Sequence, residues 1–341
     1  MIYDRLLFLT FPFMKAYVVS KPGGPETLEL KTIPDPVPQL GEALIHIHAF
    51  GLNRAEAITR AGGSFGAVTF PKVIGIECVG EVIDCPGGEL PLGQKVAAAM
   101  GGMGRKYNGS YAEKVVVPIS NVFPVDTNLD WVTFGSIPET YFTAWGCCFE
   151  SLKITQNPKI VMKPGASALG IAITQIVNHL GGEVIGVTRS EQKVDKLMEA
   201  GMYKVLVSRD SIADQVLEVW PTKAMGIIDT IASQDSVKDD LDMLAPGGEL
   251  CLAGSLAESY KNSPHVDQQT IFSKDNISYY SSEELHSDKD TSVLQAVVNN
   301  VERGVYNTCI DAVFSFGDVV KAHELMEQNA FAGKVVIDLN R

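Results

Sequence analysis

The sequence is short of positive charge, of paired cysteines and of long apolar runs. Its 341 residues include 28 Lys and Arg against 41 Asp and Glu, which gives a formal net charge of −13. A surface of this sign repels phosphate backbones and anionic lipids, so we expect neither nucleic acid nor a membrane as a partner. An anionic ligand would have to rely on local basic side chains and on helix N-termini.

The scarcity of cysteine pairs and apolar runs narrows the class of protein further. The six cysteines are scattered and form no CxxC pair, which is typical of a reducing compartment and predicts a cytoplasmic protein. The apolar start of the chain is too short to span a bilayer and contains Asp4 and Arg5. We therefore interpret residues 1–13 as an N-terminal extension outside the main fold.

Two kinds of pattern divide the rest of the chain. From residue 14 to about 135, short strand-like runs separated by Gly and Pro predict a β-rich module of barrel or Greek-key type. Residues 136–283 alternate helices with buried strands, which is typical of a doubly wound parallel sheet. Residues 284–341 are expected to return to the first module and complete it. The predicted fold class is α/β, with a nucleotide-binding domain inserted into a β-rich catalytic domain.

The clearest functional signal lies in residues 160–193. A buried strand ends in the turn Pro164–Ser167, an amphipathic helix follows, and a second strand ends at Thr188. This unit places a helix N-terminus against the pyrophosphate of a dinucleotide. Arg189 at the strand tip, with Lys193 one helical turn further on, suits a 2′-phosphate, whereas a carboxylate there would favour NAD. The sequence therefore predicts NADP(H) as the cofactor.

The turn itself departs from the usual phosphate-binding pattern. Pro164 has no backbone N–H to offer. Ser167 is a strong N-cap, and its hydroxyl suits either the helix or a pyrophosphate. An ordinary strand-to-helix connection is the alternative interpretation of this turn.

Five motifs in a fixed order resemble one enzyme superfamily. They are GLNRAE (51–56), GIECVG (75–80), GSYAE (109–113), GASALG (165–170) and AH..M...AFAGKVV (322–336). The chain is identified from them as resembling the medium-chain dehydrogenases/reductases, most closely their zinc-independent, zeta-crystallin-like quinone oxidoreductase branch. The resemblance runs from about Met14 to the C-terminus. It implies a GroES-like catalytic domain, a Rossmann domain and a homodimer.

The resemblance also bears on zinc. Zinc-dependent members have a cysteine where this chain has Asn53, and a His-Glu pair where it has Ile76-Glu77. Catalytic zinc needs three protein ligands and an open position, so we predict no metal. His46 and His48 share one face of a strand and are the alternative metal pair, although a polar stripe is the simpler explanation.

Several site residues follow from the turn and from the resemblance together. The resemblance places Thr143 and the strand end at Gly254 and Ser255 beside the cofactor, and Arg209 is a weaker candidate on the adenosine side. The predicted cofactor-binding residues are Thr143, Ser167, Ala168, Leu169, Thr188, Arg189, Lys193, Arg209, Gly254 and Ser255.

Without a metal, reduction of an activated double bond is the chemistry we expect. Hydride transfer to a quinone or an α,β-unsaturated carbonyl needs little beyond one or two hydrogen-bond donors. Asn53, at the usual metal-ligand position, is the predicted catalytic residue, although an amide there also suits a purely structural role in a turn. Tyr107, Tyr111 and Tyr141 are unranked candidates for a phenol donor.

Two other functions stay open at this point. A biosynthetic enoyl reductase acting in trans would use the same fold. A low-turnover NADPH-binding or sensor protein is the other, because Pro164 alters the turn and Ser64 stands where related enzymes have a tyrosine.

Overall fold

The computed structural model describes residues 12–63, 68–208, 211–254, 256, 275–283, 292–308 and 310–341. Its strands are β1 (Phe13–Val19), β2 (Leu28–Pro34), β3 (Glu42–Leu52), β4 (Lys72–Val73), β5 (Glu77–Asp84), β6 (Lys95–Ala99), β7 (Lys114–Pro118), β8 (Val122–Pro124), β9 (Lys159–Lys163), β10 (Glu183–Thr188), β11 (Lys204–Val207), β12 (Ala224–Asp229), β13 (Leu244–Leu252), β14 (Ile277–Tyr279), β15 (Ile310–Ser315) and β16 (Lys334–Asp338). Its helices are α1 (Arg54–Arg60), α2 (Trp131–Gly135), α3 (Pro138–Gly146), α4 (Ala168–His179), α5 (Val194–Glu199), α6 (Ala213–Val219), α7 (Gln234–Met243), α8 (Ser292–Glu302) and α9 (Val319–Glu327). Within these ranges, no helix has the length and apolar character needed to cross a bilayer.

A six-stranded parallel sheet forms the nucleotide domain. Its strand order is β11-β10-β9-β12-β13-β14, and every neighbouring pair is parallel. Ile160, Val161 and Met162 of β9 are fully buried, as expected of a strand covered on both faces. The strand order reverses beside β9, so the ligand crevice opens at the carboxyl ends of β9 and β12. The doubly wound sheet predicted from the sequence is confirmed.

The β-rich part of the chain contains two further sheets. One has the order β2-β1-β4; the other has seven strands, β15-β16-β3-β5-β6-β8 with β7 also paired to β3. β16 runs antiparallel to β3, with Val336 opposite Gly51. The last strand of the chain therefore lies in the same sheet as the strands of the β-rich part. Phe13, assigned to the N-terminal extension, opens β1, and residues 1–11 lie outside the described ranges. The domain bounds themselves stay predictions.

One of the buried hydrophobic clusters extends across the two domains. Phe134 of α2 and Phe142 of α3 belong to the same buried cluster as Ile173 of α4 and Val336 of β16. The first turns of α3 and α4 lie on opposite sides of one small cavity. The shared core therefore holds the beginnings of both helices at the crevice between the domains.

Candidate functional site

The turn between β9 and α4 is closely packed. The Ser167 hydroxyl donates to the Pro164 carbonyl (2.9 Å) and accepts from the Gly170 N–H (3.0 Å), so Ser167 is the N-cap of α4. A Cβ at Gly165 would lie 2.9 Å from the Gly186 Cα, and one at Gly170 would lie 2.5 Å from the Gly165 carbonyl oxygen. These glycines bring the turn and the helix against the sheet, while the Ser167 proton is used within the turn.

Basic side chains gather beyond the end of β10. Thr188 is buried and accepts from the Ser190 N–H through its hydroxyl (3.2 Å), whereas Arg189 is exposed. The Lys193 ammonium donates to the carbonyls of Asn329 (2.8 Å) and Phe331 (2.5 Å). The predicted phosphate ligand is thus held by backbone of the catalytic domain.

The electrostatics of this cluster favour an anion. Burial lowers the pKa of Lys193, and the positive charges of Arg54, Lys196 and Arg189 lower it further, against the opposite effect of Asp311. Like charges held this close repel one another, and a phosphate would relieve the repulsion. The donor chemistry at the end of β10 therefore fits a phosphorylated dinucleotide.

Residues 329–333, which we call the strap, cross from the catalytic domain over this turn. The Asp311 carboxylate accepts from the Ala332 N–H (2.5 Å), and Gly333 forms a backbone bridge with Ser167. Together with the two bonds from Lys193, these contacts lay the strap along the nucleotide side of the crevice. The strap then leads directly into β16 and its first residue, Lys334.

Lys334 lies at the centre of a buried polar cluster in the catalytic domain. Its ammonium donates to Glu77 Oε1 (2.6 Å) and to Asn53 Oδ1 (2.8 Å), while Asn53 Nδ2 donates to Glu77 Oε1 (2.8 Å). Glu77 is fully buried, and Lys334 is 3% exposed. A Cβ at Gly51 would lie 2.3 Å from the Lys334 Cε and 2.5 Å from Glu77 Oε1, so a larger residue at this point of the GLN sequence would displace the Lys334–Glu77 pair. Asn53, the predicted catalytic residue, is placed here, with both ends of its amide bonded.

This cluster does not suit a zinc ion. In the described residues, no group of three or more His, Cys, Asp and Glu side chains converges as metal ligands. Glu77 is bonded to the Lys334 ammonium, and the neighbouring position is Ile76. The cation between Asn53 and Glu77 is therefore a side chain of the protein.

Glu139, in the first turn of α3, joins the cluster from the other side. Its backbone N–H donates to Glu77 Oε2 (2.8 Å), and its Oε1 accepts from the hydroxyls of Thr143 and Ser282 (both 2.8 Å). Burial, with a smaller contribution from the charge of Glu77, raises the pKa of Glu139 to about 7. Sequence reasoning selected Thr143 and missed Glu139, although their spacing of four residues places both on one face of α3.

The cavity between the two helices is small. It holds about 10 Å³, room for about one water molecule, and is lined by Ser136, Thr140, Tyr141, Ala168, Ile171, Ala172, Thr308 and Lys334. Ala168 and Leu169, the first residues of α4, are half-buried, and Ala168 lines the cavity. A dinucleotide needs far more space than this one cavity offers.

The remaining candidates are spread over the molecule. Tyr141 lines the cavity, while Tyr111 is buried and bonded to Glu56 Oε2 (2.9 Å) and His323 Nε2 (2.7 Å). His48 stacks on Trp131 at 4.2 Å between ring centroids. Gly254 follows β13 at the crevice edge with a φ of 131°. Arg209, Ser255 and Ser64 lie outside the described residues.

A second buried lysine lies beneath the nucleotide turn, and sequence reasoning missed it. Lys163, the last residue of β9, forms ion pairs with Asp240 and with Asp229 (3.8 Å) and donates to the Ser236 hydroxyl (2.8 Å). That hydroxyl donates to Asp229 Oδ2 (2.6 Å), and Asp229 Oδ1 accepts from the Ile231 N–H (2.6 Å). The cluster ties β9 and β12 to α7 below the crevice.

Known proteins resemble this chain over nearly its whole length. The family model described as the alcohol dehydrogenase GroES-like domain matches residues 39–127, and the one described as zinc-binding dehydrogenase matches residues 168–299. A quinone oxidoreductase from Pongo abelii is 24% identical over 331 residues, which cover 95% of this chain and 97% of the relative.

A mycobacterial structure described as complexed with NADPH is 25% identical and superimposes with a TM-score of 0.83, covering 95% of this chain and 99% of that one. One of the phenolphthiocerol/phthiocerol polyketide synthase proteins of Mycobacterium tuberculosis is 24% identical over 328 residues, 94% of this chain and 14% of that protein. These similarities agree with the GroES-like and Rossmann domains expected from the sequence.

Proposed function

Because the chain is a quinone oxidoreductase-like member of the medium-chain dehydrogenase/reductase superfamily, we propose that it is an NADPH-dependent, zinc-independent reductase of quinones or α,β-unsaturated carbonyls. Membership of this family supports oxidoreductase activity and the use of a nicotinamide cofactor. The phosphorylated cofactor and the substrate class are the proposal.

The observation that carries the proposal is the group of basic side chains around Lys193. Arg189 and Lys193 follow the end of β10, where a cofactor's 2′-phosphate lies in Rossmann domains, and no carboxylate ends the strand. An arginine and a lysine there suit a dianionic phosphate, whereas a ribose hydroxyl would offer their charges only a neutral acceptor. The mycobacterial relative with NADPH supports the same choice.

The polar cluster supports the proposed chemistry. A bound reduced nicotinamide supplies the hydride, and hydride addition to a quinone or an enone leaves negative charge on the carbonyl oxygen. Lys334 lines the cavity, and its ammonium, oriented by Asn53 and Glu77, stabilises that charge. Glu139, with a pKa of about 7, holds an exchangeable proton beside the cluster near neutral pH.

Steady-state turnover tests this function. We expect NADPH oxidation with a panel of quinones and enones, and much slower oxidation with saturated ketones, which lack the conjugation that spreads the charge. Arg189→Ala should weaken NADPH binding about tenfold more than NADH binding, because the change removes a phosphate contact alone. Binding without turnover on any member of the panel would favour the sensor function instead.

A specific observation favours a second candidate, an enoyl reductase acting in trans. The chain matches one part of a much larger polyketide synthase protein along most of its own length. Turnover of an α,β-unsaturated acyl thioester at a higher kcat/KM than any free quinone or enone would support this substrate.

We also propose a cytoplasmic homodimer, and a monomer in sedimentation velocity would contradict the dimer.

A further inference from the structure

Two basic side chains from different domains hold the same residue of the strap. Lys193, of the nucleotide domain, donates to the Asn329 carbonyl (2.8 Å). Arg54, the first residue of α1 in the catalytic domain, donates through Nη2 to the Asn329 side-chain oxygen (2.7 Å). Both cations thus converge on one exposed, uncharged residue at the mouth of the crevice.

The partners of these cations are weak for groups of their charge. Both Asn329 acceptors are neutral oxygens, whereas phosphate oxygens would add charge–charge attraction and, for arginine, bidentate geometry. Arg54 also lies close enough to Lys193 to lower the pKa of its ammonium. A dianion in the position of Asn329 would pair with both groups and remove their mutual repulsion.

A dinucleotide bound at the N-terminus of α4 would compete with the strap for this place, because Gly333 of the strap bridges to Ser167. Release of the strap frees Lys193 and Arg54 together, since both are bonded to Asn329. Arg54, a half-buried residue, then offers through its guanidinium a planar set of donors suited to phosphate oxygens.

We propose that Arg54 is a further 2′-phosphate ligand, supplied by the catalytic domain, which takes the phosphate in exchange for Asn329. This inference rests on the proposed NADPH dependence and deepens it. Arg54 joins the two domains through the cofactor and selects NADPH over NADH, while Arg189 and Lys193 hold the phosphate from the nucleotide domain.

Equilibrium binding of NADPH, NADH, 2′,5′-ADP and 5′-AMP to the full chain tests this assignment. Arg54→Gln should raise the Kd of NADPH and of 2′,5′-ADP about tenfold and change those of NADH and 5′-AMP by less than about twofold. Arg303→Gln is the matched control. That arginine is exposed and bonds to Asn299 and Asn300 at the end of α8, so its loss changes the net charge equally without touching the site.

A second variant separates phosphate binding from a role in holding the strap. Asn329 has a left-handed φ of 56°, which glycine adopts freely, so Asn329→Gly removes the side-chain acceptor without backbone strain. We expect Asn329→Gly to tighten NADPH binding and expect Arg54→Gln to abolish that gain in the double variant. If Arg54 merely held the strap, Arg54→Gln would tighten NADPH and NADH equally, and the assignment would be overturned.

The outcomes distinguish this inference from the function on which it rests. A wild-type protein that binds NADPH no better than NADH contradicts the proposed cofactor. A wild-type preference for NADPH that Arg54→Gln leaves intact contradicts the role of Arg54 alone.

Discussion

Two buried lysines among the described residues have the same exposure and very different surroundings. Lys163 and Lys334 are 3% and 3% exposed, and each pairs with fully buried carboxylates. Lys163 faces two carboxylates and a serine beneath the nucleotide turn. Lys334 faces one carboxylate and an amide, and it lines the cavity between the domains.

The difference lies in what each cluster leaves exposed to a ligand. Burial and the charge of Asp229 raise the pKa of Asp240, so the cluster around Lys163 retains a proton more readily and is closed within the protein. Within the described ranges, Glu77 instead pairs with the Lys334 ammonium alone, and Lys334 lines the cavity between the domains. The same kind of ion pair is therefore enclosed within the protein at Lys163, whereas at Lys334 it belongs to the cluster to which we assign the proposed chemistry.

Lys163→Met should have the largest effect on stability. Lys163 is the one N–H donor that pairs with Asp240 in the described part of the chain, so the substitution leaves a buried carboxyl group without its cation. We expect the free energy of unfolding to fall by about 3–5 kcal/mol, measured by denaturant titration.

The double variant Lys163→Met/Asp240→Leu is the control for that experiment. It should recover part of the loss, because the Asp240 carboxyl is removed together with its cation, while Asp229 keeps the Ser236 hydroxyl and the Ile231 N–H as donors. A loss of less than about 1 kcal/mol in the single variant would show that the cluster around Lys163 is not structural.

Lys334→Gln should reduce stability less than Lys163→Met does, and it should reduce activity more. Glu77 keeps the donors of Asn53 and of the Glu139 backbone, so the stability loss should be about 1–3 kcal/mol. The value of kcat/KM should fall about 100-fold, carried by kcat, because a charge that stabilises the transition state is lost. Lys334→Arg should restore part of the rate. An unchanged kcat would place Lys334 outside the chemistry.

Glu139→Gln should have the smallest effect, visible in its pH dependence. The pKa of Glu139 is raised from 4.5 to about 7, so the folded state binds its proton more tightly than the unfolded state does. The stability that this proton contributes is present below pH 4.5 and is lost as pH rises through about 7. Unfolding free energies measured from pH 5 to 8 should fall more in the wild type than in Glu139→Gln. Parallel curves would contradict the raised pKa.

Local pattern was enough to predict the fold and the nucleotide turn. The alternation of buried strands and helices gave the parallel sheet, and Ser167 was recognisable as an N-cap from its place before an amphipathic run. These features depend on residues close together in the chain, where periodicity and capping preferences act directly.

The partners within the site depend on long-range pairing and were not predictable in the same way. Lys334 meets Glu77 across 257 residues of sequence, and the pairing of both β16 and β5 with β3 brings them together. Lys193 was predicted from its position, but its bonds to Asn329 and Phe331 cross 136 and 138 residues. The chemistry of each side chain was visible in the sequence, whereas its partner was not.

The ratio of the NADH and NADPH dissociation constants of the wild-type protein, from fluorescence titration at one ionic strength, tests the central claim most directly. The basic side chains beyond β10 predict that NADPH binds at least about tenfold more tightly. Equal binding, or tighter binding of NADH, would contradict the account.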